Sequence, residues 1–309
     1  MHLEELDYDL PQELIAQHPA ERRDASRLLV YDRKTRDVRH RVFSELPEEL
    51  HGELVVVNDT RVVPARIPIE QPRGEVLLLE RVGDREWEAL AKPTRRLKAG
   101  RKYGEVELLE HLGEGRWRVR LDGEPHGETP LPPYITAPLA DASRYQTVYA
   151  DEAGSAAAPT AGLHFTPQLL ERLDVERVTL HVGLDTFRPV SEPTLAEHRI
   201  HGERYDVAPE AWERIARAER VLAVGTTTVR TLETVVRTGE LHGRTELFIT
   251  PPFAFMRVDA LLTNFHLPRS TLLALVMAFA GIEEIRRLYA LAVEERYRFY
   301  SFGDAMLIV

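Results

Sequence analysis

Cysteine is absent from the 309 residues. That excludes a disulfide framework, a thiolate zinc site, an iron–sulfur cluster and a cysteine nucleophile. Lysine is scarce: Lys34, Lys92, Lys98 and Lys102 stand among 40 basic residues, so arginine dominates the positive charge. Arginine grips phosphate bidentately, although coding bias in a GC-rich genome produces the same composition. No Gly-Lys dipeptide, Gly-x-Ser-x-Gly elbow, His-Glu-x-x-His or full Gly-x-Gly-x-x-Gly occurs, so the common nucleotide, hydrolase and metalloprotease signatures are missing. The longest strongly apolar stretch, Leu272–Ala280, falls short of the roughly 18 residues that cross a bilayer. The first residues, Met1 to Asp7, are acidic and lack the apolar segment of a secretory leader. A soluble cytoplasmic protein without a membrane partner is expected. A net charge of −10 does not suit a general nucleic-acid binder, but it permits a local basic face.

What is present is enough apolar residue, 43%, to bury a sizeable core in one large or two ordinary domains. Residues 1–62 carry a short helix candidate at 12–17 and strand candidates at 27–31, 38–43 and 53–57. The run Leu54-Val55-Val56-Val57 suits a strand buried on both faces. Residues 63–135 read as short strands at 76–81, 87–92, 105–111 and 117–121, with turns at Gly83-Asp84 and Gly113-Glu114-Gly115. From about residue 140, strands at 178–182, 220–224, 247–250 and 305–309 are interleaved with helices at 210–219, 227–237, 271–280 and around 285–293. The prediction is an α/β main domain with a mostly parallel sheet and an inserted antiparallel β-barrel domain. The discontinuous main domain would be 1–62 plus 136–309, and the barrel 63–135.

Five stretches carry chemistry. In Ala156–Pro167, small residues including Thr160 and Gly162 would let a flat ligand approach the backbone. Thr166-Pro167 reads as an N-cap and first helical residue, which places His164 beside a helix N-terminus that keeps it neutral. A linker with a hydrogen-bonded surface histidine fits equally. Gly225-Thr226-Thr227-Thr228 after a strand makes an anion pocket or simple threonine capping. Thr263–Thr271 gathers Asn264, His266 and Arg269 in a loop before a capped helix. His181 ends a strand before Gly183-Leu184-Asp185. His198, His201 and Glu203 follow, too loosely spaced to specify a metal site, and no metal is expected. Asn58-Asp59-Thr60-Arg61 closes a strand, where open α/β sheets bind ligands, or forms an Asx-turn. Arg22, Arg23 and Arg27 form one basic cluster. Lys92, Arg95, Arg96, Lys98, Arg101 and Lys102 form another, either a nucleic-acid contact or a solvated rim.

Taken with Asp7–Ala16, Ser26-Arg27-Leu28-Leu29, Tyr145–Ala150, Ala158–Thr166, His181-Val182-Gly183, Val224–Thr227, Thr263–Pro268 and Tyr297–Met306, the chain resembles, end to end, the S-adenosylmethionine:tRNA ribosyltransferase-isomerase family of queuosine biosynthesis. It departs from that pattern at Leu184-Asp185, Pro252-Phe253 and Gly202. The resemblance implies an α/β domain with an inserted barrel. It implies transfer and rearrangement of the ribosyl group of S-adenosylmethionine onto 7-aminomethyl-7-deazaguanine in a tRNA with a GUN-type anticodon. Epoxyqueuosine, adenine and methionine would result. S-adenosylmethionine is then a substrate and no cofactor is expected; the protein would be a monomer or weak homodimer.

A sulfonium acidifies the neighbouring 5′ carbon, so the site must supply a base for that proton and an acid for departing adenine, for which histidine is the natural type. The expected acid–base groups are His164, His181 and Asp59, with His164 the favoured base. Asn58, Thr60, Arg61, Thr160, Gly162, Gly225, Thr226, Thr227, Asn264 and His266 are expected to bind substrate. Lys92, Arg95, Arg96, Lys98 and Lys102 are expected on the tRNA backbone. A non-catalytic tRNA-binding protein on the same scaffold is the rival, opposed by this acid–base set. An ordinary methyltransferase is opposed by the missing glycine-rich loop.

Overall fold

The structure, a computed structural model, describes residues 1–183, 194–195, 200 and 202–309. Leu184, Asp185, His198 and His201 therefore lie outside the described residues. The strands are β1 (Arg27–Tyr31), β2 (Val38–Val42), β3 (Leu54–Asn58), β4 (Thr60–Val62), β5 (Arg66–Ile69), β6 (Gly74–Arg81), β7 (Glu86–Lys92), β8 (Arg101–Tyr103) and β9 (Val106–Gly113). They continue with β10 (Arg116–Leu121), β11 (Glu152–Ser155), β12 (Val175–Leu180), β13 (Glu203–Asp206), β14 (Val221–Val224), β15 (His242–Thr245), β16 (Ala260–Asn264) and β17 (Ala305–Ile308). The helices are α1 (Pro167–Leu170), α2 (Pro209–Arg217), α3 (Thr226–Thr238), α4 (Thr271–Ala280) and α5 (Ile282–Glu294).

A nine-stranded sheet runs β15-β13-β12-β3-β14-β16-β17-β1-β2. Its central block β12-β3-β14-β16 is parallel throughout, and β17 is parallel to β1. The pairings β15-β13, β13-β12, β16-β17 and β1-β2 are antiparallel, so the sheet is mixed. Strand β17 is inserted between β16 and β1. Side chains alternate across the sheet: Val56, Ala223, Leu261 and Met306 face one core with α3, α4 and α5, while Val55, Val57, Leu222, Leu262 and Leu307 face a second core. The β-branched run of β3 is buried on both faces for that reason, each side chain contributing about 1.5–3 kcal/mol. Apolar on nearly every side, α4 lies deep between neighbours; Ser270 caps it by accepting the Leu273 N–H at 3.2 Å.

The chain leaves this sheet after β3 and returns at β12. Between them, β5-β6-β7-β10-β9-β8 forms a curled antiparallel sheet over its own core of Val76, Leu78, Trp87, Val106, Leu108, Trp117 and Val119. In β10, Trp117, Val119 and Leu121 point inward while the intervening arginines point out. The expected barrel is not closed, because no pairing joins β5 to β8. Pro68 sits in β5, and proline is confined to sheet edges because it cannot donate to a ladder; β8 is only three residues long. A short parallel pair, β11 with β4, lies between the two sheets.

Other expectations shift. Residues 247–250 are not a strand: they run beside the core, and Leu247 O accepts from Arg230 instead of a ladder partner, while the strand forms at β15. The 12–17 helix reduces to a 3₁₀ turn at Gln12–Leu14. The 178–182 strand begins earlier, at Val175, and ends at Leu180. No helix among the described residues is long and apolar enough to cross a membrane.

Candidate functional site

The four parallel strands β12, β3, β14 and β16 deliver their carboxyl ends to one edge. There the chain presents His181, Asn58-Asp59-Thr60, Gly225-Thr226-Thr227 and Asn264 side by side. This is the edge at which open α/β sheets bind ligands, because loops from neighbouring strands converge there.

His181 is half-buried just past β12. Its ring lies over Gly154, where a Cβ would sit 2.9 Å from Cε1, so only glycine admits the imidazole. Thr60 Oγ1 donates to Glu152 O at 3.5 Å and lies 2.9 Å from His181 Nδ1. With the hydroxyl proton on Glu152 O, the threonine accepts from Nδ1 and the lone pair falls on Nε2, which has no hydrogen-bond partner among the described residues. Burial, reinforced by Arg204, holds the imidazole below its ordinary range and neutral. Asp59, 8% exposed, accepts from Thr179 Oγ1 at 2.7 Å, and burial pushes its carboxyl up.

Asn58 is fully enclosed and fully used. Its amide nitrogen donates to Leu180 O at 3.0 Å and Thr227 Oγ1 at 3.2 Å; its oxygen accepts from Leu180 N at 3.0 Å and Thr60 N at 3.2 Å. Four bonds exhaust an asparagine side chain, so Asn58 braces β3, β12 and α3 and has nothing left for a substrate. Gly225 takes φ +86°, open to glycine, and turns β14 into α3. No side chain caps that helix, although Thr226 and Thr227 at its start are buried. The Arg61 side chain is exposed and makes no hydrogen bond or ion pair among the described residues.

His164 ends a 3₁₀ turn, Thr160–His164, and is 5% exposed. Asn264 Nδ2 donates to its Nε2 at 3.2 Å, so Nδ1 carries the proton and donates to Ser26 Oγ at 2.7 Å. Thr160 Oγ1 in turn donates to Asn264 Oδ1 at 2.9 Å, and Phe43 stacks on the ring at 4.9 Å. Burial, then the charges of Arg298 and Arg23, lowers its pKa to about 3. The histidine is neutral as expected, but both ring nitrogens are occupied. Thr166 does cap α1, which is a single turn. Gly162 does not lie open to a ligand: a Cβ there would fall 1.9 Å from Tyr149 Oη. His266 is buried, with Nε2 2.7 Å from Thr263 Oγ1, and burial lowers its pKa to about 3.

Lys92, Arg95, Arg96, Lys98, Arg101 and Lys102 all lie exposed on the curled sheet; Lys102 pairs with Asp122 at 2.7 Å. Sequence reasoning missed Ser26, Tyr149, Gly154 and Thr179, which hold or crowd the expected groups. Ser26 and Tyr149 stand in motifs that already carried the resemblance. Glu203, named in the sequence only beside a loosely spaced histidine pair, has its Oε1 accepting the Gly183 N–H at 3.1 Å while Arg230 grips its other oxygen.

The family model described as queuosine biosynthesis protein matches residues 3–308. An S-adenosylmethionine:tRNA ribosyltransferase-isomerase of Rubrobacter xylanophilus is 55% identical, with 100% of this chain and 98% of that protein covered. One of the same description from Desulfitobacterium hafniense is 50% identical over the full length of both. The crystal structure of S-adenosylmethionine tRNA ribosyltransferase from Thermotoga maritima superimposes with a TM-score of 0.59 at 40% identity, covering 99% of this chain and 100% of that one. With the matched region running through both sheets and every motif at the strand ends, the chain belongs to the queuosine biosynthesis protein family.

Proposed function

We propose that this chain transfers and isomerises the ribosyl moiety of S-adenosylmethionine onto the aminomethyl group of 7-aminomethyl-7-deazaguanine at the wobble position of a GUN-anticodon tRNA. The products are epoxyqueuosine-tRNA, adenine and methionine. The observation that carries this reading is the convergence of His181, Asp59, Thr60 and the uncapped α3 N-terminus at one edge of four parallel strands, in a chain similar along its whole length to enzymes of that description.

His181 is the group we assign to the 5′ proton: its Nε2 has no partner among the described residues, and Thr60 fixes the ring from the other side. Asp59, pushed up by burial, is assigned to protonate departing adenine. Gly225, Thr226 and Thr227 at the start of α3 suit the carboxylate of S-adenosylmethionine. His164, with Asn264 and Thr160, is assigned to holding the 158–166 segment rather than to proton transfer, because its ring has no free lone pair. Residues 63–135 are proposed as an inserted unit whose Lys92–Lys102 face holds tRNA backbone. No cofactor or metal is assigned a role.

The test is incubation of tRNA carrying the aminomethyl base with S-adenosylmethionine alone, followed by mass analysis of nucleosides and assay of adenine. Equimolar adenine and epoxyqueuosine, unchanged by EDTA, are expected. Tight tRNA binding without adenine release would convert the reading to a non-catalytic binder, and release of S-adenosylhomocysteine would convert it to methyl transfer.

A further inference from the structure

On the far side of the His164 ring from Asn264 lies a notch of about 20 Å³. Arg23, Arg144, Arg298, Ser26, Ser301 and His164 line it, and no carboxylate does. The three arginines come from distant parts of the chain. They are held mainly by neutral backbone carbonyls: Arg23 donates to Leu163 O at 3.0 Å and Ser143 O at 2.9 Å, and Arg144 to Glu21 O at 3.1 Å and Ala20 O at 2.5 Å. Arg298 reaches His18 O at 3.5 Å and stands 3.7 Å from Asp304, the one nearby carboxylate it pairs with.

Carbonyls orient guanidinium groups without neutralising them, so like charges face one another. Burial, then Arg144, lowers the Arg23 pKa against the opposing charge of Asp141, and Arg23 and Arg298 both act on His164. Arg144 Nε is buried with no hydrogen-bond partner among the described residues. Such an arrangement is unfavourable alone and favourable around an anionic oxygen, because charge-assisted bonds then replace repulsion. The volume admits about one oxygen atom and no larger group.

We infer that this notch receives a phosphodiester oxygen of the RNA backbone, so that the polymer is anchored on the side of His164 opposite the strand-end site. The inference rests on tRNA being the substrate, and it favours RNA over the carboxylate of S-adenosylmethionine because none of His181, Asp59, Thr60, Gly225, Thr226, Thr227 or Asn264 lines the notch. Ser26 and Ser301–Gly303, which lead into β1 and β17, line it instead.

The test uses the full chain, an unmodified anticodon stem-loop RNA and, separately, S-adenosylmethionine, with direct binding measured for each. Arg144→Gln and Arg298→Gln should each weaken stem-loop binding about tenfold and lower the salt slope by about one counterion. S-adenosylmethionine affinity should hold within twofold. Arg144→Lys and Arg298→Lys, which keep the charge but lose the planar fork, should recover most of the RNA affinity. Loss of S-adenosylmethionine binding with RNA binding intact would reassign the notch to that substrate's carboxylate. Equal losses in Lys and Gln variants with matching falls in Tm would show that the arginines are braces and end the proposal. Because stem-loop binding needs no turnover, failure of the wild-type chain to make epoxyqueuosine would count against the proposed reaction alone.

Discussion

Replacing Gly162 by alanine puts a methyl carbon 1.9 Å from Tyr149 Oη and 2.9 Å from both Tyr149 Cζ and Thr147 Cγ2. Contacts below about 3 Å do not persist, so the tyrosine must move by more than an ångström. It has little room: Tyr149 is buried and packs edge-on against Phe165 at 6.2 Å. Overpacking of this kind costs about 1–3 kcal/mol, and the depth of the overlap puts Gly162→Ala near 3. For a chain of this size that is a fall in Tm of roughly 6–10 °C. Tyr149→Phe supplies the second arm. The hydroxyl has no hydrogen-bond partner among the described residues, so removing it alone should be close to neutral or stabilising. In the double variant the 1.9 Å overlap disappears, and about half of the lost stability should return, a coupling of about 1–1.5 kcal/mol by denaturant unfolding. A Gly162→Ala chain of native stability but without activity would refute this, since the glycine would then be making room for a ligand and not for Tyr149.

His181→Gln should lower kcat by ~10²–10⁴, the range for losing a positioned base, with little change in S-adenosylmethionine affinity, whereas His164→Gln should act mainly on Tm; the opposite pattern in steady-state kinetics restores His164 as the base. Folded His164 and His266 titrate at about 3 against 6.5 for the free side chain. Below pH 6.5 the unfolded chain takes protons that the folded chain refuses, so stability should fall as pH drops from about 6.5 toward 3, by about 1.4 kcal/mol per pH unit per histidine. Denaturant titrations between pH 4.5 and 6.5 should show that slope shallower by about 1.4 kcal/mol per pH unit in His266→Gln. Replacing Arg95, Arg96 and Lys98 together should raise KM for tRNA and flatten its salt dependence while KM for S-adenosylmethionine stays put; the reverse would place the patch elsewhere.

The layout of the sheet was legible where composition and burial agree. A run such as Leu54–Val57 has no polar face and must be covered on both sides, and α4 reads the same way. Residues 247–250 misled because apolar side chains mark burial, not ladder pairing. The strand-end motifs were legible as polar stretches after apolar ones, but their division of labour was not. Which histidine is saturated depends on partners far away in sequence: Ser26 is 138 residues from His164, and Asn264 is 100. Asn58 looked like a ligand group for the same reason. Its four bonds go to Leu180, Thr227 and Thr60, and only the packing of β12, β3 and α3 brings the first two within reach. The notch arginines were partly visible, since Arg23 stood in a basic cluster and Arg298 in the Tyr297–Met306 motif, while Arg144 gave no local sign.

The place of β17 between β16 and β1 bears on how a nascent chain acquires this sheet. Strands β1 and β2 are among the first to leave the ribosome, yet among the described residues their only ladder link to the parallel block runs through residues 305–308. Until those residues are made, β1 and β16 each display an open ladder edge, the kind of surface that recruits stray strands. Closure joins segments nearly the whole chain apart, which makes it a slow, late event. Truncation before Ala305 should therefore leave two unsealed half-sheets and an aggregating product, not a slightly shortened enzyme.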